Sequence, residues 1–219
     1  MALVAAHKMT VEDAREQVIQ SGRGLVRRLA DIDKLAQCRR EAAIAARLAE
    51  IHRQLAATQV AFKVFPAIDA WRAEAERPAL RRKKVLVLEG GSGLGKTEYT
   101  KAIHGPEHTL ELNCSNCGHC PDLRQHSPLQ HKVVLFDEAS PSMVAANRKL
   151  FQAPAAWVDL GHSPTGRDVY RVLLCDSILV VCSNGWSAQC AALPSDDDRD
   201  WLSKNSVHVA VSEKMFVSE

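Results

Sequence analysis

The chain has 219 residues, 46% of them apolar and 25% charged, with a formal net charge of +2. That supplies the core of one α/β domain with a smaller accessory element, and excludes a membrane-spanning helix, since no apolar run approaches ~18–20 residues. Seven cysteines, an odd and scattered number, do not make a disulfide framework, and the apolar start at Met1 is too short for a signal peptide; a soluble, intracellular protein is expected.

The charge is uneven. Residues 1–84 carry 17 Lys/Arg against 10 Asp/Glu, and the remainder 11 against 16. A basic front half suits nucleic acid or the acidic half of a neighbouring subunit, and equally an ordinary solvated helix surface. In chain order, Thr10 and Asp13 form a capping signal for a short helix to about Gln20, and Ser21 to Gly24 break it. From Leu25 to about Val60 there is no Pro or Gly. Leu25, Leu29, Ile32 and Leu35, then Ile44, Leu48, Ile51 and Leu55, recur at helical steps. This predicts one long amphipathic helix, or two joined near Cys38 to Glu41, with a narrow stripe suited either to an oligomerisation collar or to a helical hairpin over its own domain. Residues 1–65 are therefore read as a helical N-terminal region and 66–219 as the main domain. Ala67 to Glu76 predicts another helix, with Ile68 and Trp71 on one side and Pro78 ending it. Arg81-Arg82-Lys83-Lys84 follows, either a nucleic-acid patch or a solvated strand entry.

Val85 to Leu88 suits a buried parallel strand and runs, through Glu89, into Gly90-Gly91-Ser92-Gly93-Leu94-Gly95-Lys96-Thr97, a G-x-x-x-x-G-K-T pattern that opens a helix to about His104. Glycines let successive backbone N–H groups turn toward phosphate oxygens, and the helix start adds a favourable dipole. Lys96 is placed to reach the β- and γ-phosphates of ATP, and the Thr97 hydroxyl to bind Mg²⁺. After a turn at Gly105-Pro106, Thr109 to Leu112 reads as a second strand. Cys114, Cys117 and Cys120 at C-x₂-C-x₂-C spacing, with His119, His126 and His131 near, could supply zinc ligands, or form a small-residue loop with free thiols. Lys132 to Glu138 is a buried strand ending in Asp-Glu. Beside a phosphate loop, Asp137 would hold Mg²⁺ and Glu138 would activate water as general base. Val144 to Phe151 suits a helix. Trp157 to Leu160 and Val169 to Leu173 flank Gly161 to Arg167 as a hairpin, and Ile178 to Asn184 is a further buried strand whose terminal Asn lies where a sensor of the γ-phosphate could stand.

Together these residues resemble the superfamily 3 helicase domain of replication initiator (Rep) proteins of circular single-stranded DNA viruses. Gly90 to Thr97 stands as motif A, Val133 to Glu138 as motif B and Val180 to Asn184 as motif C. The resemblance covers about residues 66–210. It implies an α/β P-loop NTPase core of AAA+-like type with a mainly parallel sheet, hydrolysing ATP with Mg²⁺ in a ring, commonly a hexamer, that translocates on single-stranded DNA. Lys96 and Thr97 match the phosphate and metal positions, Asp137 and Glu138 the metal and water-activating positions, and Asn184 the sensor. The hairpin matches the DNA-contacting loop, with His162 and Arg167 at its tip. The family's arginine finger maps best to Arg199, in the acidic setting Asp196-Asp197-Asp198-Arg199-Asp200. Residues 1–80 contain neither a His-hydrophobe-His motif nor any Tyr, so nicking is not expected.

Two other functions fit a phosphate loop: a non-motor ATP switch that recruits a partner through the N-terminal helices, and a small-molecule kinase. Glu138 argues against the first, and the lack of an evident acceptor site and arginine-rich lid against the second.

Overall fold

In the computed structural model the residues described are 10, 13, 16, 25–57, 61–77, 82–115, 119–152, 156–161, 169–174 and 177–217. The chain divides into two units, Met1–Gln59 and Val60–Glu219. In the first, the Thr10 hydroxyl and the Asp13 carboxylate exchange hydrogen bonds with each other's backbone N–H groups (3.1 and 3.3 Å), the reciprocal cap expected of that spacing. Helix α1 (Leu25–Ala57) runs unbroken for 33 residues, about 50 Å at 1.5 Å per residue. There is no join near Cys38 because nothing between Leu25 and Ala57 removes a helical hydrogen bond.

The second unit is built on five strands: β1 (Val85–Glu89), β2 (Thr109–Asn113), β3 (Val133–Asp137), β6 (Ile178–Ser183) and β7 (Ser206–Ala210). They are all parallel, in the order β2-β3-β6-β1-β7. The central strands read as continuous apolar runs because both faces are covered. On one face Leu86, Leu88, Leu135, Val180 and Cys182 pack with Ile68 and Trp71 of helix α2 (Pro66–Ala75). The Trp71 indole N–H donates to Lys84 O at 2.8 Å, so its burial leaves no donor unpaired. On the other face Val87, Phe136 and Val181 pack with helices α4 (Pro141–Ala146), α5 (Arg148–Phe151), α6 (Trp186–Ala191) and α7 (Asp196–Asn205). Helix α3 (Lys96–Ala102) follows the glycine loop. An antiparallel ribbon, β4 (Trp157–Leu160) and β5 (Tyr170–Leu173), buries Val158, Leu160 and Val172 in the same core.

The helix expected over Val144 to Phe151 starts earlier and is interrupted. Ser140 caps it by accepting the Met143 N–H (3.2 Å), Pro141 occupies its first turn, and Asn147 leaves helical geometry between α4 and α5. The Asn147 amide donates to Met143 O at 2.8 Å, a side-chain bond that competes with the helical ladder. The loop helix ends at Ala102 rather than His104.

A histidine pair closes the end of the sheet where β3 and β6 begin. The Ser177 hydroxyl donates to His131 O (2.9 Å), so it must accept from His126 Nε2 (3.0 Å), leaving His126 Nδ1 bare, buried and without a partner. His131 Nδ1 accepts the Ser127 N–H (3.0 Å), which also requires a neutral ring. Burial, then the neighbouring His131, pushes His126 down to about 4; burial, then His108, lowers His131. A histidine held neutral in the fold stabilises it fully above the unfolded value near 6.5, and that contribution is lost as pH falls toward 4. After discounting for partial exposure the loss is about 2 kcal/mol. Urea midpoints at pH 7 and pH 4.5 should therefore differ more in the wild type than in His126→Gln; equal differences would remove His126 as the cause.

Candidate functional site

Parallel order brings the C-terminal ends of β1, β6 and β3 side by side, so residues remote in sequence meet at one edge. β1 delivers the glycine loop. Gly93 and Gly95 adopt the left-handed conformation (φ 77° and 88°) that lets the loop fold back before α3. Lys96, only 7% exposed, donates to Gly90 O (2.7 Å), Gly91 O (2.9 Å) and the Asn184 carbonyl oxygen, Oδ1 (3.0 Å). The Asn184 amide nitrogen donates in turn to Glu138 Oε1 at 2.6 Å. Asn184 thus bridges the loop lysine to the carboxylate at the end of β3, and it can do so because β6 lies between β1 and β3. Thr97 Oγ1 donates to Asp137 Oδ1 at 3.2 Å. Lys96, Thr97, Asp137, Glu138 and Asn184 are therefore gathered at one place.

Glu138 is the only non-glycine residue with positive φ (57°) among those described. Its N–H still donates to Cys182 O at 2.8 Å, extending the β3–β6 ladder by one bond. The left-handed turn at this point carries its side chain to Asn184. Backbone of this kind costs on the order of 1–2 kcal/mol for a side-chain-bearing residue and persists where the surroundings over-determine it.

Sequence reasoning missed the supports. Glu89 accepts from the N–H of Ser187 (2.8 Å) and its hydroxyl and pairs with His208 Nε2 (2.7 Å), fixing the start of α6 and the edge strand β7 to the root of the loop. Burial would raise the Glu89 carboxyl, but Ser187 and His208 outweigh it and hold it below its ordinary value. Residues 211–217 form a strap along the loop: Val211 N–H donates to Glu89 O (2.6 Å), Met215 N–H to Leu94 O (2.8 Å) and Lys63 N–H to Met215 O (2.8 Å). A parallel-sheet edge and an irregular strap carry no sequence signal comparable to a glycine motif. Beneath α3, burial pushes the Cys182 thiol up to about 12, against Thr100 Oγ1 at 3.8 Å, so it is no nucleophile.

Arg199 lies in α7, where its guanidinium donates to Leu193 O and to the Asp196 carboxylate. His162, Arg167 and Cys117 lie outside the described residues. Cys114 is buried, with its thiol directed to Leu112 O (3.5 Å), and among the described residues no group of three or more His, Cys, Asp or Glu is placed to hold a metal.

The residues fit a nucleotide triphosphate with a divalent cation. Lys96 is a buried cation satisfied only by neutral acceptors, and no carboxylate among the described residues pairs with it. A buried charge without a counter-charge is costly, and a phosphate chain supplies one. Ser92 and Gly93 form the turn by which the loop folds back before α3, the bend a phosphate cradle requires. Thr97 and Asp137 present a hydroxyl and a carboxylate, hard oxygen ligands of the kind Mg²⁺ takes.

A glycine loop between strand and helix, with an Asp-Glu strand end two strands away, defines a P-loop NTPase core. No protein-family model matches the sequence, and no curated protein matches it. Among solved structures, NtrX from Brucella abortus in complex with ATP is similar at a TM-score of 0.39 and 15% identity, over 83% of this chain and 45% of that one. The S. cerevisiae Hsp104-ADP complex is similar at a TM-score of 0.42 and 16% identity, over 77% of this chain and 36% of that one. The chain spans less than half the length of these structures. At such scores the functional reading rests on the site's own geometry. No helix among the described residues is long and apolar enough to cross a membrane.

Proposed function

We infer that this chain hydrolyses ATP and that hydrolysis drives an assembly of several copies along single-stranded nucleic acid. The observation that carries the ATPase reading is the Lys96–Asn184–Glu138 chain beside Thr97–Asp137. In this reading Lys96 and the loop amides from Gly90, Gly91, Ser92, Gly93, Leu94 and Gly95 bind the phosphates, and Thr97 and Asp137 hold Mg²⁺, which neutralises charge on the phosphoryl oxygens. Glu138 takes the proton of the attacking water, and Asn184 orients it against the γ-phosphate. The motor reading is supported by the order of the three motifs and by the ribbon between β3 and β6, whose turn carries His162 and Arg167 in the sequence. Residues 1–65 serve as the self-association element and 66–219 as the ATPase domain of a Rep-type ring, most simply a hexamer, with Arg199 acting on a neighbour's site.

Hydrolysis should rise severalfold with single-stranded DNA, particle mass should rise with ATP, and Lys96→Ala should lose both responses. Wild type that neither assembles with ATP nor responds to nucleic acid, and equals Lys96→Ala, would end the motor reading. One observation favours a second reading. Because the Arg199 guanidinium is committed within its own chain, the protein can be an ATP-binding switch that recruits a partner through its N-terminal helix. That protein would bind ATP, turn it over slowly and ignore oligonucleotides.

A further inference from the structure

A cavity of about 740 Å³ lies between residues 119–124, the α4–α5 turn and the inner side of the β4–β5 ribbon. Its volume falls within the roughly 300–1,000 Å³ of ordinary ligand sites. The interior is apolar, with Ala145, Leu150, Val158 and Leu160, and the rim carries Arg124, Arg148 and Lys149. Both acidic liners are already engaged, Asp122 with Arg124 (2.7 Å) and Asp159 with Arg171 (2.8 Å), and Arg148 pairs with Asp198 outside the cavity. Lys149, exposed, has no carboxylate partner among the described residues. Tyr170 lines the same space with Arg124 stacked over its ring at 4.4 Å, and its hydroxyl accepts the Leu123 N–H at 2.8 Å. An apolar interior with an aromatic liner and, at its rim, a lysine that no described carboxylate neutralises is what an unstacked base with its phosphate requires.

We propose that this cavity receives a nucleotide unit of single-stranded nucleic acid, its base against Tyr170 and the apolar wall and its phosphate at Lys149. The proposal rests on the motor reading and gives it a site away from the ribbon tip. The occupant in this proposal is a polymer rather than a free nucleotide, because Trp157, 62% exposed on the outer side of the same strand β4, offers a second aromatic surface to a neighbouring nucleotide. The cavity is also tied to the ATP site. Helix α4, which lines it, is capped by Ser140, two residues beyond Glu138, so occupancy bears directly on the segment that holds the base for hydrolysis.

The full chain is titrated by fluorescence anisotropy with labelled oligothymidylate and oligouridylate of roughly 20 nucleotides, longer than a single domain's footprint. Lys149→Glu should weaken binding on the order of tenfold, leave ATPase without oligonucleotide unchanged, and blunt its stimulation. Lys149→Ala should shallow the log–log salt slope by about 0.7. Because Tyr170 variants risk the fold through Leu123, the aromatic contact is tested in wild type by photo-crosslinking 4-thiothymidine oligonucleotide, with adducts expected in 145–150 or 169–173. Wild-type affinity in Lys149→Glu, adducts confined elsewhere, or displacement by thymidine monophosphate at equal nucleotide concentration would overturn the cavity and leave the motor reading standing. A wild type that binds neither oligonucleotide and shows no stimulation would overturn both.

Discussion

Glu138→Gln should lower ATP turnover by roughly 100- to 10,000-fold, the range a lost general base costs, while ATP remains bound. The substitution is nearly isosteric. A Gln Oε1 still accepts from the Asn184 amide that now reaches Glu138 Oε1 at 2.6 Å, and the left-handed backbone at φ 57° is unchanged. What disappears is the oxygen able to take a proton from water. Lys96, Thr97 and Asp137 keep their contacts, so binding and any ATP-dependent assembly should persist, and single-turnover hydrolysis with bound-nucleotide counting separates the two. Turnover within about threefold of wild type would remove Glu138 from the base role, since proton transfer is worth far more than that. Glu138→Gly supplies the contrast: it loses hydrolysis too, yet relieves the left-handed strain, and should be at least as resistant to urea, by up to about 1 kcal/mol.

The strands that carry the site were legible because burial on both faces leaves an uninterrupted apolar run that stops at a polar residue. Val85–Glu89, Val133–Asp137 and Ile178–Ser183 all behave this way. Their order was not legible, because the insertion of β6 between β1 and β3 is decided by crossovers and not by any local residue pattern. That insertion gives Asn184 its bridging position. β7 is a short, half-buried edge strand, and its Ser206-Val207-His208-Val209-Ala210 alternation is weak beside the polar helix before it. The positive φ of Glu138 is likewise tertiary in origin, imposed by the N–H bond to Cys182 and the side-chain bond to Asn184. Asn147 is an intermediate case: an Asn inside an apolar helical pattern signals competition for backbone bonds, and here it splits α4 from α5.

The same tertiary origin governs the second large effect, on Gly90. A Cβ there would lie 2.2 Å from Val211 O and 3.1 Å from Val211 C, so the obstacle is main chain rather than a side chain able to rotate away. Val211 is held by its own N–H bond to Glu89 O (2.6 Å), and the strap beyond it by Met215 N–H to Leu94 O (2.8 Å). Gly90→Ala must therefore pull the strap off the loop, and it should destabilise by about 3 kcal/mol, the upper end of overpacking costs, with loss of ATP affinity because the displaced segment is the wall of the phosphate cradle. Gly91→Ala meets nothing within 4 Å and should stay within about 0.5 kcal/mol of wild type in stability, as surface changes do. Gly95→Ala separates sterics from backbone: its Cβ would meet the Phe216 ring at 2.9 Å at a φ of 88°. Adding Phe216→Ala should recover only the steric part of that loss, and it should recover none of the Gly90→Ala loss. Urea midpoints for the three single and two double variants decide it. A Gly90→Ala protein as stable as Gly91→Ala would mean that the strap does not pin the loop, and the glycine would then be required by phosphate approach alone.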